Sequence, residues 1–220
     1  MSNLLLTFWK SMSDDWARVT GAMMPYAGPI APAGYIFANG NARSRTQYAA
    51  LFQALCPQFT GTTTSGSSTI TNVSVDYSAE LLVGYPVSMA GVPNGATVTA
   101  MTATTITISS AATVTASSIA GSICPWGQGD NSTTFGIPDM RGEFPRGLDR
   151  GRGIDLNRKL GVAQGGTTIS MAANKVSAIT GADTTTGSVG GAALSDDAGV
   201  TYTNYAVRIR NVAVNWIIKT

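Results

Sequence analysis

The sequence has no histidine, only two cysteines and only a small share of charged side chains. Without histidine the chain cannot form a Ser-His-Asp triad, a histidine general base or a histidine-containing metal site. Its two cysteines, Cys56 and Cys124, are too few for a structural zinc site. Charged residues make up 12% of the 220 residues and the net charge is +2, which does not suggest an electrostatic nucleic-acid binder. A soluble chain with so little charge is expected to bury surface in an oligomer.

A long hydrophobic run is also missing. The apolar stretch 4–9 is too short to span a bilayer, and it lacks the basic flank and cleavage site of a secretory signal. We therefore expect no membrane insertion and synthesis in the cytoplasm. Within residues 1–20, apolar side chains fall near an i, i+3, i+4 stripe. The stripe fits a helix packed on its own domain or a segment that attaches the chain to a larger particle, and the second interpretation is preferred. Its members are Leu5, Phe8, Trp9, Met12 and Trp16.

Glycine, serine, threonine and alanine dominate the remainder, which favours short strands and tight turns. We therefore predict an α+β fold that is mostly β. The apolar share of 44% is large enough for a buried core. Residues 21–40 predict a strand, a Pro/Gly loop and a second strand. The clearest helix begins at Ser44 or Arg45 and is ended by Pro57. Its predicted apolar face consists of Tyr48, Leu51, Phe52 and Leu55.

Residues 60–122 differ in character from their flanks. Apolar and small polar side chains alternate, as at Val98, Ala100, Ile106 and Ile108, with the period of a β-strand. We predict a small inserted β-domain, with a turn at residues 92–96. A module inserted in this way should leave and re-enter its parent at neighbouring points, which would bring the two cysteines together. They are then either small buried hydrophobes or, after release into an oxidising medium, a disulfide.

The stretch 127–149 reads GQGDNSTTFGIPDMRGEFPRGLD and has no helical periodicity. Gly129-Asp130-Asn131 predicts a turn, and residues 133–135 predict a short strand stopped by Pro138. A charge cluster follows. Paired carboxylates in it could act as acid and base, but the interleaved arginines would keep both ionised, so a structural ion-pair network is preferred and no catalytic residue is assigned. The cluster consists of Asp139, Arg141, Glu143 and Arg146.

Several segments, in their joint order, resemble the phage tail collar family of tail fibre and fibre-tip proteins. They cover roughly residues 21–60, 122–165 and 206–220. The matching segments are Met24–Gly28, Pro32–Gly40, Ser44-Arg45, Tyr48–Phe52, the stretch 127–149 and Arg208–Lys219. The resemblance implies a homotrimer that is carried on the virion tail and binds a host surface glycan or surface protein without covalent chemistry. It implies no enzyme activity and no cofactor, and the missing histidines exclude the histidine-ligated tip metal of some relatives.

The predicted organisation combines this resemblance with the composition. A segment at 1–20 contacts other tail or baseplate proteins, a collar-like domain comprises 21–59 and 123–164, and the β-domain at 60–122 interrupts it. A loop-rich region at 165–205 is the expected receptor-binding part, and a strand at 206–220 closes the fold. Polar and aromatic residues suited to a glycan cluster in the loop-rich region. They are Asp183, Asp196, Asp197, Tyr202, Asn204 and Tyr205.

Other functions stay open at the level of sequence. A baseplate or tail-tip part could use the same fold only to join subunits, and a contractile particle other than a phage could carry the same chain. A depolymerase that cuts capsule or lipopolysaccharide is disfavoured, because the chain has neither a paired-carboxylate groove nor β-helix repeats. Metal binding at the acidic pairs Asp14-Asp15 and Asp196-Asp197 is disfavoured for lack of further oxygen ligands nearby.

Overall fold

The computed structural model describes residues 19–80, 82–156, 158–164, 168–172, 175–180 and 211–220. Within these ranges the chain is mostly β with one short helix, as predicted. No helix among them has the length and hydrophobicity needed to cross a bilayer. The helix is α1 (Ala49–Leu55). The strands are β1 (Met23–Tyr26), β2 (Tyr35–Phe37), β3 (Arg43–Ser44), β4 (Gln58–Thr63), β5 (Thr69–Ile70), β6 (Val87–Met89), β7 (Val98–Met101), β8 (Ile106–Ile108), β9 (Ala116–Ile123), β10 (Thr134–Phe135), β11 (Thr168–Ala172), β12 (Lys175–Thr180) and β13 (Asn215–Lys219).

The chain divides into two compact units. One contains the residues up to Gly147 together with Ala213–Thr220, and the other contains Leu148–Val212. Within the first unit we distinguish the framework (residues 21–59, 123–147 and 213–220) from the β-insertion (residues 60–122). The second unit is called the distal segment. Whether these parts are separable domains stays a prediction.

The framework is built around a three-stranded antiparallel sheet in the order β1-β13-β2. The predicted strand-loop-strand at 21–40 is confirmed, and β13 inserts between its two strands. Ile218 pairs with Met23 on one side and with Ile36 on the other. Its side chain is fully buried and packs with Leu51 and Phe135.

Helix α1 begins later than the sequence predicts. Arg43 and Ser44 pair with β10 as a strand, and residues 45–48 form turns, so helical geometry starts only at Ala49. The Ser44 carbonyl accepts the Tyr48 amide at 3.0 Å within these turns. A long-range strand pairing thus overrides the local helical pattern. The predicted apolar face is confirmed: one member is fully buried and the other three pack against the framework core, namely Leu51 and Tyr48, Phe52, Leu55.

The β-insertion contains strands from two three-stranded antiparallel sheets, β4-β9-β6 and β5-β8-β7. β4 and β9 pair with Gln58 opposite Ser122, so the chain enters and leaves the insertion at neighbouring points. The predicted alternation is visible in β8, where Ile106 and Ile108 are buried and Thr107 between them is partly exposed. The core of this region is larger than that of the framework. Two framework residues at its borders, Phe59 and Ile123, belong to the same core. The members from the β-insertion itself are Ile70, Val73, Leu82, Tyr85, Val87, Met89, Val92, Ala96, Val98, Ile106 and Ile108.

The distal segment has more regular structure than the loops predicted for it. β11 and β12 form an antiparallel pair with Thr168 opposite Thr180 and a register shift after Ser170. Both strands have a short alternation of polar and apolar residues, TISMA and KVSAIT, which the glycine-rich surroundings obscure in the sequence.

Candidate functional site

The predicted turn at Gly129-Asp130-Asn131 is organised by one carboxylate. Asp130 accepts the backbone amides of Ser132, Thr133 and Thr134 at 2.7 to 3.0 Å. The hydrogen bond from the Thr133 hydroxyl, together with these amides, holds the pKa of Asp130 well below its ordinary value. Both Gly129 and Asn131 adopt φ of 66°. The turn is therefore fixed by its own polar groups and delivers β10 to its partner β3.

The position directly after β10 accepts only a glycine, Gly136. A Cβ at this position would lie 2.0 Å from the Trp126 carbonyl oxygen. The same backbone approach lets the Gly136 amide donate to the Gly127 carbonyl at 2.7 Å. Any side chain would force these two backbone segments apart, so the glycine is required by their close approach.

Two members of the charge cluster form a salt bridge. Arg141 donates from Nε and Nη2 to the two oxygens of Asp139, at 2.8 and 2.6 Å. These hydrogen bonds lower the pKa of Asp139 to about 2, although the pair is exposed to solvent. Glu143 and Arg146 lie exposed further along the segment. A single network that joins all four side chains stays a prediction.

A second charged loop lies in the distal segment. Asp149 accepts the amides of Gly153 and Ile154, at 2.9 and 3.2 Å, and so closes the turn. Arg158 is paired with Asp155 at 3.1 Å, with both side chains mostly buried, and also donates to Gln164. In this loop Asp149, Asp155 and Arg158 thus all make structural contacts.

Arg45 connects the framework to the β-insertion, which the sequence analysis did not foresee. Its guanidinium donates to the Thr134 carbonyl at 2.9 Å, to Ser88 Oγ at 2.7 Å and to the Gln128 carbonyl at 3.2 Å. It also lies 4.8 Å from the centre of the Phe52 ring, a cation–π contact. These partners are distant from Arg45 in the sequence, so no local pattern could have identified them.

The predicted turn at 92–96 of the β-insertion contacts the turn organised by Asp130. The buried Ser88 hydroxyl donates a hydrogen bond to the Asn131 carbonyl at 3.0 Å. Asn131 Nδ2 donates to the Val92 carbonyl at 3.2 Å, and the buried Gln128 donates to Asn94. The β-insertion and the framework thus meet at a polar seam, which we define by Arg45, Ser88, Asn94, Gln128 and Asn131.

The two cysteines are free thiols, and both are buried in the framework core. A hydrogen bond with Cys124, together with burial, raises the pKa of Cys56 far above its usual range. The same hydrogen bond lowers the pKa of Cys124, so the pair shares one arrangement in which the Cys56 thiol keeps its proton. Because both side chains are almost fully buried, the pair has the character of small core hydrophobes.

The predicted receptor-contacting residues fall outside the described residues. They are Asp183, Asp196, Asp197, Tyr202, Asn204 and Tyr205. The same holds for the N-terminal stripe and for both acidic pairs considered as metal sites. In the part of the chain that the structure does describe, no three cysteine or carboxylate side chains are grouped so that they could hold a metal ion.

Comparison with known proteins identifies one family. The Phage Tail Collar Domain matches residues 21–69, which comprise the first two framework strands, β3, α1 and the first two strands of the β-insertion. The other segments of predicted resemblance, at 122–165 and 206–220, lie outside this match. No curated protein and no solved structure matches the chain. The resemblance found in the sequence is thereby supported at its N-terminal part, where residues 21–69 are similar to a phage tail collar domain.

Proposed function

We propose that this protein is the host-recognition subunit of a phage tail, which binds a surface glycan or surface protein of the host non-covalently during adsorption. It acts as a homotrimer, and residues 1–20 attach it to other tail or baseplate proteins. It binds its target without chemically altering it. The proposal is supported by the match to a collar domain at residues 21–69 and by the way the framework binds the chain before and after the distal segment.

The observation that carries the proposal is the arrangement around Ala38. Its amide donates to the Trp216 carbonyl at 2.9 Å, and its carbonyl accepts the Met140 amide at 2.9 Å. The chain before the distal segment and the chain after it are therefore bonded to the same framework residue. A long segment with fixed ends can vary in sequence without disturbing the core, which is the usual situation of binding loops on a scaffold.

Receptor contact is assigned to the loops at 165–205. Their late part combines carboxylates, an amide and phenol rings, namely Asp196, Asp197, Asn204, Tyr202 and Tyr205. Such a mixture provides acceptors and donors for sugar hydroxyls and flat faces for sugar rings. Three copies in one trimer, and several trimers on one tail, would convert weak single contacts into avidity higher by ~10²–10⁴.

The proposal is tested by binding of the labelled, purified protein to cells of the phage's host. We expect Tyr202→Ala and Asp197→Ala each to weaken binding by about 1–3 kcal/mol, because a polar partner loses its hydrogen bond. Light scattering should give about three times 22.7 kDa for both variants and for the wild-type protein. Asp76→Ala, which removes an exposed carboxylate in the β-insertion, is the matched control and should bind normally.

Three outcomes would contradict the proposal in different ways. A trimer that binds no host cells would favour a purely structural role in the tail tip. Normal binding by both variants, with loss of binding when residues 60–122 are replaced by a short linker, would move the receptor site to the β-insertion. New reducing ends after incubation with host polysaccharide would indicate a depolymerase.

A further inference from the structure

A cleft of about 250 Å³ lies on the framework where β2 ends and β13 begins. Its apolar lining comes from Phe37, Met140 and Trp216, and its polar lining comes from Asn39, Arg141 and Asn215. The volume is slightly below the ~300–1,000 Å³ of typical small-molecule sites, so it suits one compact ring better than an extended ligand.

The walls of the cleft are held in place by backbone bonds. Ala38, one of the lining residues, is hydrogen-bonded through its backbone to Trp216 and to Met140, which also line the cleft. A β-bridge between Asn39 and Asp139 further ties the segment around Asn39 to the segment around Met140. The lining groups therefore belong to a preformed site, which loses little conformational entropy when a ligand enters.

The polar side chains of the lining have unused hydrogen-bonding capacity of both kinds. Asn39 Oδ1 accepts from the Asn41 amide and from Arg43, which orients its Nδ2 as the free donor end. Asn215 Nδ2 donates to the Gly28 carbonyl at 2.9 Å, which leaves Oδ1 as an acceptor. A sugar hydroxyl both donates and accepts, so neighbouring hydroxyls can satisfy an amide donor and an amide acceptor together.

The cation of the lining is already neutralised. Arg141 is bonded through Nε and Nη2 to the Asp139 carboxylate, which fixes the plane of the guanidinium. It can offer remaining N–H groups to a ligand, but its charge is balanced by a carboxylate at 2.6 Å. This favours an uncharged ligand over a phosphate or a carboxylated sugar. Trp216 is partly buried and adds an aromatic surface to the same space.

We propose that this cleft binds one neutral pyranose ring of a host surface glycan, as a contact separate from the loops at 165–205. Trp216 supplies the ring face, and Asn39, Asn215 and Arg141 bind the hydroxyls. The proposal rests on the proposed function, since the glycan is that of the host cell. It adds a framework site to the receptor contacts of the distal segment.

Saturation-transfer NMR with the full chain tests the cleft directly. The probes are methyl β-D-glucoside, methyl β-D-galactoside, N-acetylglucosamine, N-acetylgalactosamine and L-rhamnose. We expect transfer to at least one of them. Trp216→Leu and Arg141→Ala should each reduce the affinity about tenfold, the effect of losing one ring face or one charged hydrogen bond. Trp126→Leu, which replaces a similarly half-buried tryptophan away from the cleft, is the matched control and should leave the affinity unchanged.

The same preparations are tested for trimer mass and for binding to host cells. Arg141 is well exposed, so Arg141→Ala keeps the test informative even if Trp216→Leu fails to fold. If wild-type protein binds cells but none of the sugars, the cleft proposal is overturned and the proposed function stands. If it binds neither, both are overturned. If Arg141→Ala, or a Trp216→Leu variant that still folds, loses the trimer, the cleft is a contact between subunits and the sugar site is rejected.

Discussion

The framework and the β-insertion bury their apolar side chains in different ways. The framework core is small and mixed, with the helix residue Leu51, the aromatic Phe135, two thiols and strand residues from both ends of the chain. The core of the β-insertion is larger and consists mainly of aliphatic side chains contributed by nearby strands. Between them lies the polar seam around Arg45 and Ser88. A region with a local aliphatic core has the means to fold by itself, whereas the framework depends on contacts between distant parts of the sequence.

If the two cores are energetically independent, the destabilising effects of one substitution in each core should add. Leu51 and Ile106 are both fully buried, one in each core. We expect Leu51→Ala and Ile106→Ala each to lower the free energy of unfolding by about 2–5 kcal/mol, because each removes buried methyl groups and leaves a cavity. The double variant should equal the sum to within ~0.5 kcal/mol.

Denaturant unfolding of the two single variants, the double variant and the wild-type protein measures this sum. Gln53→Ala changes an exposed residue of α1 and serves as the control for helix effects. A coupling clearly larger than ~0.5 kcal/mol would show that the cores form one cooperative unit and would remove the distinction drawn above.

The polar seam should contribute less to the free energy of unfolding than either core does. Ser88→Ala leaves the Asn131 carbonyl without its hydroxyl donor and removes one acceptor of Arg45. Because Ser88 is 2% exposed, water does not readily replace these bonds, and we expect a loss of about 1–2 kcal/mol in thermal or denaturant unfolding. Ser68→Ala, at an exposed serine of the same region, is the control. Equal stability of both variants would mean that the seam is not a stabilising contact.

The smallest effect is expected from the exposed Asp139–Arg141 pair of the framework. Its hydrogen bonds lower the pKa of Asp139 to about 2, compared with about 3.9 for an unperturbed aspartate. The folded protein therefore gains stability from this carboxylate at neutral pH, and the gain is lost as the pH falls from about 4 through about 2. Because the pair is solvent-exposed, salt should weaken the effect further.

Thermal unfolding midpoints of the wild-type protein and of Asp139→Asn, compared between pH 6 and pH 2.5, test the pair. The wild-type advantage should shrink across this range and be smaller in high salt. A difference that does not change with pH would show that the ionised carboxylate adds nothing to the framework.

Local sequence was sufficient for those parts of the fold that depend on neighbouring residues. The turn at Gly129-Asp130-Asn131, the stop at Pro138 and the alternation at Ile106 and Ile108 all follow from short-range geometry. The start of α1 was predicted wrongly, because Arg43 and Ser44 pair with a strand some ninety residues away and no local signal records that partner. Arg45 is a similar case, because its three hydrogen-bond acceptors come from two segments that are distant from it in the sequence, at Ser88 and at residues 128–134.

The salt bridge and the cleft likewise differ in how far they depend on residues that are close in the sequence. The salt bridge between Asp139 and Arg141 joins residues two apart, and the sequence suggested an ion pair there. The cleft at Trp216 is assembled from three segments, and a single sequence does not reveal which tryptophan ring stays partly exposed. The only sequence signal of the cleft was a pair of asparagines, Asn39 and Asn215, each next to strongly apolar strand residues.

The central place of β13 in the framework sheet has a consequence for biosynthesis. β1 and β2 do not pair with each other, and each reaches the sheet only through β13. During translation, both strands leave the ribosome long before their common partner is synthesised, so their backbone edges stay unpaired during most of the synthesis. Pairing across such a sequence separation is slow, and exposed strand edges promote aggregation. A chain that is released before Asn215 is synthesised would keep the edges of β1 and β2 open.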